Sequence, residues 1–283
     1  MREGIARRRP SLSQAAVRAY AHAMRKFYGL GLVVLVLVSA GAWWCRVPLV
    51  SWVDLQLGGK ISGISKRPQP DPVTYAVLGS ELETWRKNLA SRHAAATTDA
   101  AKKLVEQDAR VILELVLPAM MRCWLGTPWD FNGTAATPGG GAIACGYFVS
   151  TVLKDAGFQV NRYDLAKQAS ENILRSFLPK EACSLTISKS YAKFADDMSA
   201  ATPGIYLVGL DTHVAFVVVD ASGFRMIHSS GSRPWCVVDE NRDEAHVLQN
   251  SKWRMLGNLT ESASLMRAWL HAEPIKVRGS VRP

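Results

Sequence analysis

The amino-acid sequence predicts an α+β domain in which helices pack on an antiparallel sheet, because helical segments come first and strand-like segments follow. The helical segments repeat apolar residues at steps of three and four. The strand-like segments are short, rich in β-branched residues and separated by turns. With 283 residues, the chain is long enough for one or two domains with a sizeable core.

Residues 1–26 form a basic leader, in which seven Arg and Lys residues stand against one acid, Glu3. This leader therefore contributes +6 to the formal net charge of +10, and the rest of the chain is only mildly basic. Because most of the positive charge lies in this leader, it does not indicate a nucleic-acid partner. It is typical of residues that precede a membrane segment on its cytoplasmic side.

Residues 27–53 are predicted to form a transmembrane anchor or a signal sequence. The nineteen residues 27–45 carry no charge, and a helix of that length just crosses a hydrocarbon core of about 30 Å. Trp43 and Trp44 near its end match the aromatic belt of membrane helices. A retained anchor predicts a single-pass membrane protein with an extracytoplasmic (periplasmic) domain, whereas cleavage after Ala40 predicts a secreted protein. A buried core helix is the third alternative.

The predicted organisation continues with a linker over residues 54–77, a domain with an N-terminal helical extension over 78–270, and a flexible tail over 271–283. The linker is rich in Gly, Pro and Ser. The extension contains a helix whose apolar stripe faces a core: Val105, Ala109, Ile112, Leu113, Val116, Leu117 and Met120. Pro118 is expected to kink or split that helix.

The five cysteines form no regular disulfide framework, because their count is odd and their spacings are wide. One bridge among Cys123, Cys183 and Cys236 is compatible with an extracytoplasmic domain, and the spacing does not select the pair.

Cys145 opens a predicted helix directly after a glycine-rich loop, in the stretch GGGAIACGYFVSTVLKDAGF, residues 139–158. The first N–H groups and the dipole of a helix are expected to lower the pKa of a cysteine there, which favours the nucleophilic thiolate. The same N–H groups can form an oxyanion hole. A buried structural cysteine is the alternative interpretation.

Two histidines are predicted to meet on one face of a hairpin. The segments HVAFVVVD and FRMIHSSG flank a loop of four residues, 220–223. If Val219 pairs with Phe224, His213 and His228 are diagonal neighbours, so that His213 can act as a base oriented by His228. A register slip of one residue would turn the two rings to opposite faces.

These segments resemble the NlpC/P60 family of papain-like cysteine peptidases over about residues 110–238. The resemblance rests on the GTPW loop, the cysteine that opens a helix, a PG before a strand, the strand-opening histidine and the later IH pair. It implies a papain-like domain with Cys145 as nucleophile, His213 as base and His228 as the third polar residue. It also implies cleavage of amide bonds in peptidoglycan stem peptides, without a cofactor or a metal.

The sequence departs from the family pattern where that pattern contacts substrate. Ala144 and Gly146 replace the usual acid and serine beside the cysteine, and Ile205 replaces the acid after PG. Trp129 replaces an aromatic hydroxyl and can donate only through its indole N–H. Besides Trp129, the substrate-binding residues predicted are two polar residues after the cysteine helix, Arg162 and Gln168.

Three further functions remain open. Cys145, His213 and His228 could bind zinc, although no fourth ligand is evident. The domain could bind wall peptide or a protein without turnover, or transfer an acyl group to lipid near a bilayer. Within the catalytic hypothesis, Asp239 or Glu240 could replace His228 as the orienting residue.

Overall fold

The computed structural model describes residues 68–279. The helices, labelled in chain order, are α1 (Pro72–Ala95), α2 (Asp99–Arg122), α3 (Cys145–Asp155), α4 (Arg162–Ala166), α5 (Ser170–Phe177), α6 (Tyr191–Ser199), α7 (His246–Asn250) and α8 (Ala263–Leu270). The strands are β1 (Cys183–Ile187), β2 (Gly204–Leu210), β3 (Val214–Asp220), β4 (Gly223–Ser229), β5 (Val237–Asn241) and β6 (Trp253–Asn258). The predicted α+β class with an antiparallel sheet is confirmed.

The strands form one antiparallel sheet in the order β1-β6-β2-β3-β4-β5, which has a hydrophobic core on each face. Successive side chains of a strand point to opposite faces. Leu207 and its partner Phe216 accordingly pack with helices α2 and α3, whereas Val208 and Val217 pack with α6 and α7. Strands β2 and β3 lie at the centre, and β2 is buried at every position. The central strands therefore give a rigid support to any residue at their ends.

Helix α2 confirms the predicted apolar stripe and extends through its proline. All the stripe residues except the half-buried Ile112 are buried in the core that α2 shares with the sheet. The helix runs unbroken past Pro118 to Arg122, so the predicted split does not occur. Proline removes only one backbone donor, and the burial of Leu117 and Met120 on either side outweighs that loss.

Two predicted boundaries are wrong. Helix α1 begins at Pro72, inside the predicted linker 54–77, because Asp71 caps it by accepting a hydrogen bond from the Thr74 N–H at 2.9 Å. The tail predicted to be flexible packs on the domain as far as residue 279. There the Ile275 N–H donates to the Gln159 carbonyl at 2.8 Å, and Val277 is buried.

The leader 1–26 and the anchor or signal sequence 27–53 lie outside the described residues. Within residues 68–279, no helix combines the length and the apolarity that crossing a bilayer requires. Cys123 and Cys183 both carry free thiols, so none of the three bridges considered from the sequence is formed.

Candidate active site

The loop before α3 fixes the position of Cys145 through its backbone. The Ile143 N–H donates to the Pro128 carbonyl and the Ala144 N–H to the Gly133 carbonyl, both at 2.9 Å. The Ser229 hydroxyl at the end of β4 donates to the Ile143 carbonyl at 2.6 Å. These bonds hold the first residue of α3 against the end of the β3–β4 hairpin.

Helix α3 begins at Cys145, as predicted, and its first turn has no side-chain cap because Ala144 carries no polar atom. The backbone N–H groups of Val214, Gly146 and Cys145 itself favour the thiolate and so act to lower the pKa of the thiol. Their effect on the thiol is smaller than that of burial, which raises the pKa of Cys145. The expected lowering of this pKa is therefore wrong, because the apolar core surrounds much of the residue.

The β3–β4 hairpin has the register that the sequence predicted. Val219 pairs with Phe224, and the ladder runs from Asp220↔Gly223 to Phe216↔Ile227. The turn is tighter than the predicted four-residue loop, since two residues of that loop already pair with each other. The alternative register, with His228 opposite Phe216, is not formed.

His213 and His228 are in direct contact. The Nε2 atom of His213 lies 2.8 Å from Nδ1 of His228, with the two rings nearly perpendicular at 88°. His228 is fully buried. Burial, together with the neighbouring His228, lowers the pKa of His213 well below its ordinary value, so this ring is neutral near pH 7. The predicted pairing of the two imidazoles is confirmed.

Cys145 interacts with the backbone at the start of β3, but its thiol is not bonded to the histidine pair. The backbone N–H of Val214, one residue after His213, favours its thiolate, and in the described part of the chain no hydrogen bond joins the thiol to either imidazole. The facing nitrogens of His213 and His228 point at one another, so they do not converge on a common position for a metal ion. Among residues 68–279, no group of three His, Cys, Asp or Glu side chains is arranged to hold a metal.

Glu240 is a site residue that sequence reasoning considered only as a replacement for His228. Its Oε2 lies 3.0 Å from Nε2 of His228, so it adds to the histidine pair instead of replacing a member. The register of β4 and β5 explains the contact, because Met226↔Glu240 and His228↔Val238 are neighbouring pairs and place His228 and Glu240 on one face. Strand β5 was not predicted, and without it this diagonal could not be found.

No protein-family model, curated protein or solved structure matches this chain. Its function is therefore inferred from the residues of the site and from the resemblance in sequence.

Trp129 lies in the loop next to the site, half-buried against the segment that follows β4. Its backbone N–H donates to the Trp235 carbonyl at 2.8 Å, and the centres of the two indole rings are 5.5 Å apart. A β-carbon on Gly231 would meet the Trp129 ring at 3.0 Å, so the indole covers that glycine. Within the described residues no hydrogen bond of Trp129 to Cys145 is present, and its predicted contact with substrate stays a prediction.

Arg162 is buried and bonded within the protein, which leaves little of it for the predicted contact with substrate. Its Nε donates to the Thr151 hydroxyl at 2.6 Å, and Nη2 donates to the carbonyls of Thr134 and Ala135 at 2.9 and 2.7 Å. The guanidinium also lies over the Tyr147 ring at 5.1 Å. Arg162 thus ties the loop before Cys145 to helices α3 and α4.

Gln168 lies between α4 and α5, where its Nε2 donates to the Asp164 carbonyl at 3.0 Å. It is half-buried, and a β-carbon on Gly279 in the packed tail would meet its Oε1 at 2.7 Å. The structure brings it to the tail and does not bring it into contact with the histidine pair. Its predicted role toward substrate stays a prediction.

Proposed function

We propose that this chain is a cysteine amidase or peptidase of the NlpC/P60 type, with a papain-like domain. The observation that carries the proposal is the 2.8 Å contact between His213 and His228, next to Val214, whose backbone N–H favours the thiolate of Cys145. A nucleophile at a helix start, a base on a strand and a polar group behind that base are the three parts of a cysteine hydrolase.

In this proposal each ring nitrogen of His213 has a task. Nε2 of His213 faces His228, so Nδ1 is the nitrogen left to take the thiol proton. Cys145 would then attack the amide carbonyl to form an acyl-enzyme, and His213 would pass the proton to the leaving amine. A water molecule, deprotonated by His213, would release the acid. Backbone N–H groups at the start of α3 would bind the developing oxyanion.

The site favours general-base catalysis over a resting ion pair. Burial raises the pKa of Cys145 and lowers the pKa of His213, so both shifts oppose a thiolate beside an imidazolium. The proton would leave the sulfur as the substrate is attacked. A papain-like enzyme with a stable ion pair requires the opposite shifts.

The proposed substrates are amide bonds in peptidoglycan stem peptides, and no cofactor or metal is assigned a role. Ala144 and the buried Ile205 supply no carboxylate at the two positions where the family pattern has one. We therefore expect a substrate whose amine is bound differently or is absent. Residues 27–53 would attach the protein to a membrane, with the catalytic domain extracytoplasmic and a secreted form as the alternative.

Incubating the full-length chain with defined muropeptides tests this function. The expected result is a new amine and a new carboxyl end from one amide bond, with no product from Cys145→Ser. A non-catalytic module that binds wall peptide or a protein is the second possibility, and the missing hydrogen bond between thiol and imidazole favours it. Binding of muropeptides without cleavage by the wild type would reject hydrolysis in favour of that module.

A further inference from the structure

A carboxylate contacts His228 at the ring nitrogen that does not face His213. Glu240 Oε2 lies 3.0 Å from Nε2 of His228, whose ring is fully buried, and the Glu240 side chain is 16% exposed. His228 thus has a contact on both ring nitrogens, His213 on Nδ1 and Glu240 on Nε2. No part of the mechanism above uses this carboxylate.

Strand β5 is held in place from its opposite face. Asp239, next to Glu240, accepts hydrogen bonds from Nε of Arg122 at 2.8 Å and Nε of Arg225 at 2.6 Å. Arg122 belongs to α2 and Arg225 to β4, so these pairs fix β5 to two other elements. Neighbouring residues of a strand point to opposite faces, and anchoring Asp239 therefore also orients Glu240 toward His228.

If both imidazole rings are neutral, the hydrogen bonds that link Glu240, His228 and His213 have only one consistent set of donors and acceptors. A carboxylate only accepts, so Nε2 of His228 must carry a proton that it donates to Glu240. Nδ1 of the neutral His228 ring is then an acceptor, and Nε2 of His213 must donate to it. In the neutral His213 ring this leaves Nδ1 unprotonated.

We propose that Glu240 is a positioning residue that sets the tautomers of both histidines and so leaves Nδ1 of His213 ready to accept a proton. This inference rests on the proposed function for its catalytic meaning, but the tautomers themselves exist without it. Glu240 acts through His228 and does not touch the sulfur or the substrate.

The same carboxylate stabilises the charged intermediate. When His213 takes the thiol proton on Nδ1, it becomes an imidazolium whose Nε2–H still donates to His228. The positive charge is then separated from the negative charge of Glu240 by one polarisable ring in a buried site, where such an interaction is stronger than in water. The proton continues from Nδ1 to the leaving amine, so Glu240 neither gains nor loses a proton in the cycle.

The tautomers can be measured directly, without any substrate. The full-length chain labelled with ¹⁵N at its six histidines gives one pair of ring nitrogen shifts per residue. In the wild type, His213 and His228 should both show protonated Nε2 and unprotonated Nδ1. A wild-type His213 with its proton on Nδ1 would overturn the proposal, whatever the variants do.

Glu240→Gln is the matching variant, because an amide can accept from His228 through oxygen or donate to it through nitrogen. The second arrangement reverses every hydrogen bond in the chain and places a proton on Nδ1 of His213. We expect both tautomers in Glu240→Gln and the wild-type tautomer in Glu273→Gln, which removes the same charge from an exposed carboxylate. Unchanged tautomers in Glu240→Gln would overturn the proposal.

Activity separates this inference from the proposed function. Wrong-tautomer variants of a hydrolase triad lose up to about 10⁴-fold when the carboxylate contacts the base itself. Across an intervening ring, we expect kcat/KM for muropeptides to fall about 10- to 100-fold in Glu240→Gln and to stay unchanged in Glu273→Gln. Shifted tautomers with undiminished kcat/KM would overturn the catalytic part, whereas shifted tautomers in a protein without turnover would uphold the positioning and reject the hydrolase.

Discussion

The carbonyl oxygen of Ala166 lies against the α-carbon of Gly146, so that a β-carbon on residue 146 would approach it to less than 3.0 Å. This contact brings the end of α4 onto the first turn of α3, directly beside Cys145. It explains why a glycine stands where the family pattern has a serine. The packing of α4 thus accounts for the glycine at this position.

Gly146→Ala should destabilise the fold, because the carbonyl of Ala166 is backbone and cannot move aside cheaply. We expect a loss of about 1–3 kcal/mol, typical of overpacking in a dense interior. Gly79→Ala is the matched control, since a β-carbon at that site in α1 would lie 3.7 Å from the nearest atom, an ordinary contact. Urea unfolding should show Gly79→Ala as stable as the wild type or better; equal stability of Gly146→Ala would contradict the close approach.

Cys145→Ala and His213→Ala should each lower kcat for muropeptides by about 10³-fold or more while leaving the fold intact, because nucleophile and base act as one unit. Cys183→Ala, which removes a thiol from the edge strand β1, is the control and should retain activity. Product release by chromatography and the far-UV spectrum together make the measurement. Turnover by both site variants at the wild-type rate would reject the assignment.

The hairpin could be predicted from the sequence, whereas the group behind it could not. Alternation along β3 and β4 and a short turn were sufficient to place His213 beside His228, since a single register satisfies both strands. Glu240 belongs to a strand whose sequence, VVDEN, is half polar, and its position depends on pairing with β4. Its role follows from tertiary structure alone.

The functions of buried polar residues were equally beyond prediction. The sequence is compatible with Arg162 as a surface cation. In the fold, its guanidinium donates to the carbonyls of Thr134 and Ala135, because the glycine-rich loop folds back over α3 and α4. The sequence predicted a lowered pKa for Cys145, whereas burial raises it. The position of the residue at a helix start could be predicted, but the core that surrounds it could not. Local sequence patterns predict the helices, the strands and their register. The burial of a particular side chain depends on the whole fold and could not be predicted in this way.

The rate at which Cys145 is alkylated should rise over a higher pH range than the rate of an ordinary thiol. Burial raises the pKa of its thiol above the ordinary value of 9.0, and the pKa of His213 is lowered, so no ion pair forms near pH 7. The rate with iodoacetamide, followed by mass spectrometry at Cys145, should therefore still be rising at pH 9. A plateau below pH 7 would instead show a preformed thiolate and contradict the general-base mechanism.

Arg162→Ala should act mainly on stability, in contrast to the substrate contact that the sequence predicted. It leaves the carbonyls of Thr134 and Ala135 and the Thr151 hydroxyl without their donor, at a cost of about 2–5 kcal/mol. Arg92→Ala, which breaks an exposed pair with Asp108, should cost less than about 1 kcal/mol. Urea unfolding compares the two; a stable Arg162→Ala protein with raised KM would favour the substrate contact.

Asp211 stabilises the turn between β2 and β3 that contains His213. Removing the Asp211 carboxylate should therefore affect both the activity and the stability of the protein in acid. The carboxylate accepts hydrogen bonds from the Ser251 hydroxyl and from the N–H groups of Lys252 and Trp253, which together lower the pKa of Asp211 below 3.8. A carboxyl with a lowered folded pKa stabilises the protein fully above its unfolded value and loses that effect as the pH falls through the folded value.

Asp211→Asn should therefore be less stable than the wild type at pH 7, and the difference should shrink below about pH 4 as the wild-type carboxyl becomes protonated. Because the turn between β2 and β3 would loosen, kcat should fall while muropeptide binding changes little. Asp243→Asn, an exposed carboxyl beyond β5, controls for the lost charge. Urea unfolding at pH 7 and pH 3.5 provides the measurement, and a stability difference that grows toward low pH would contradict the role given to Asp211.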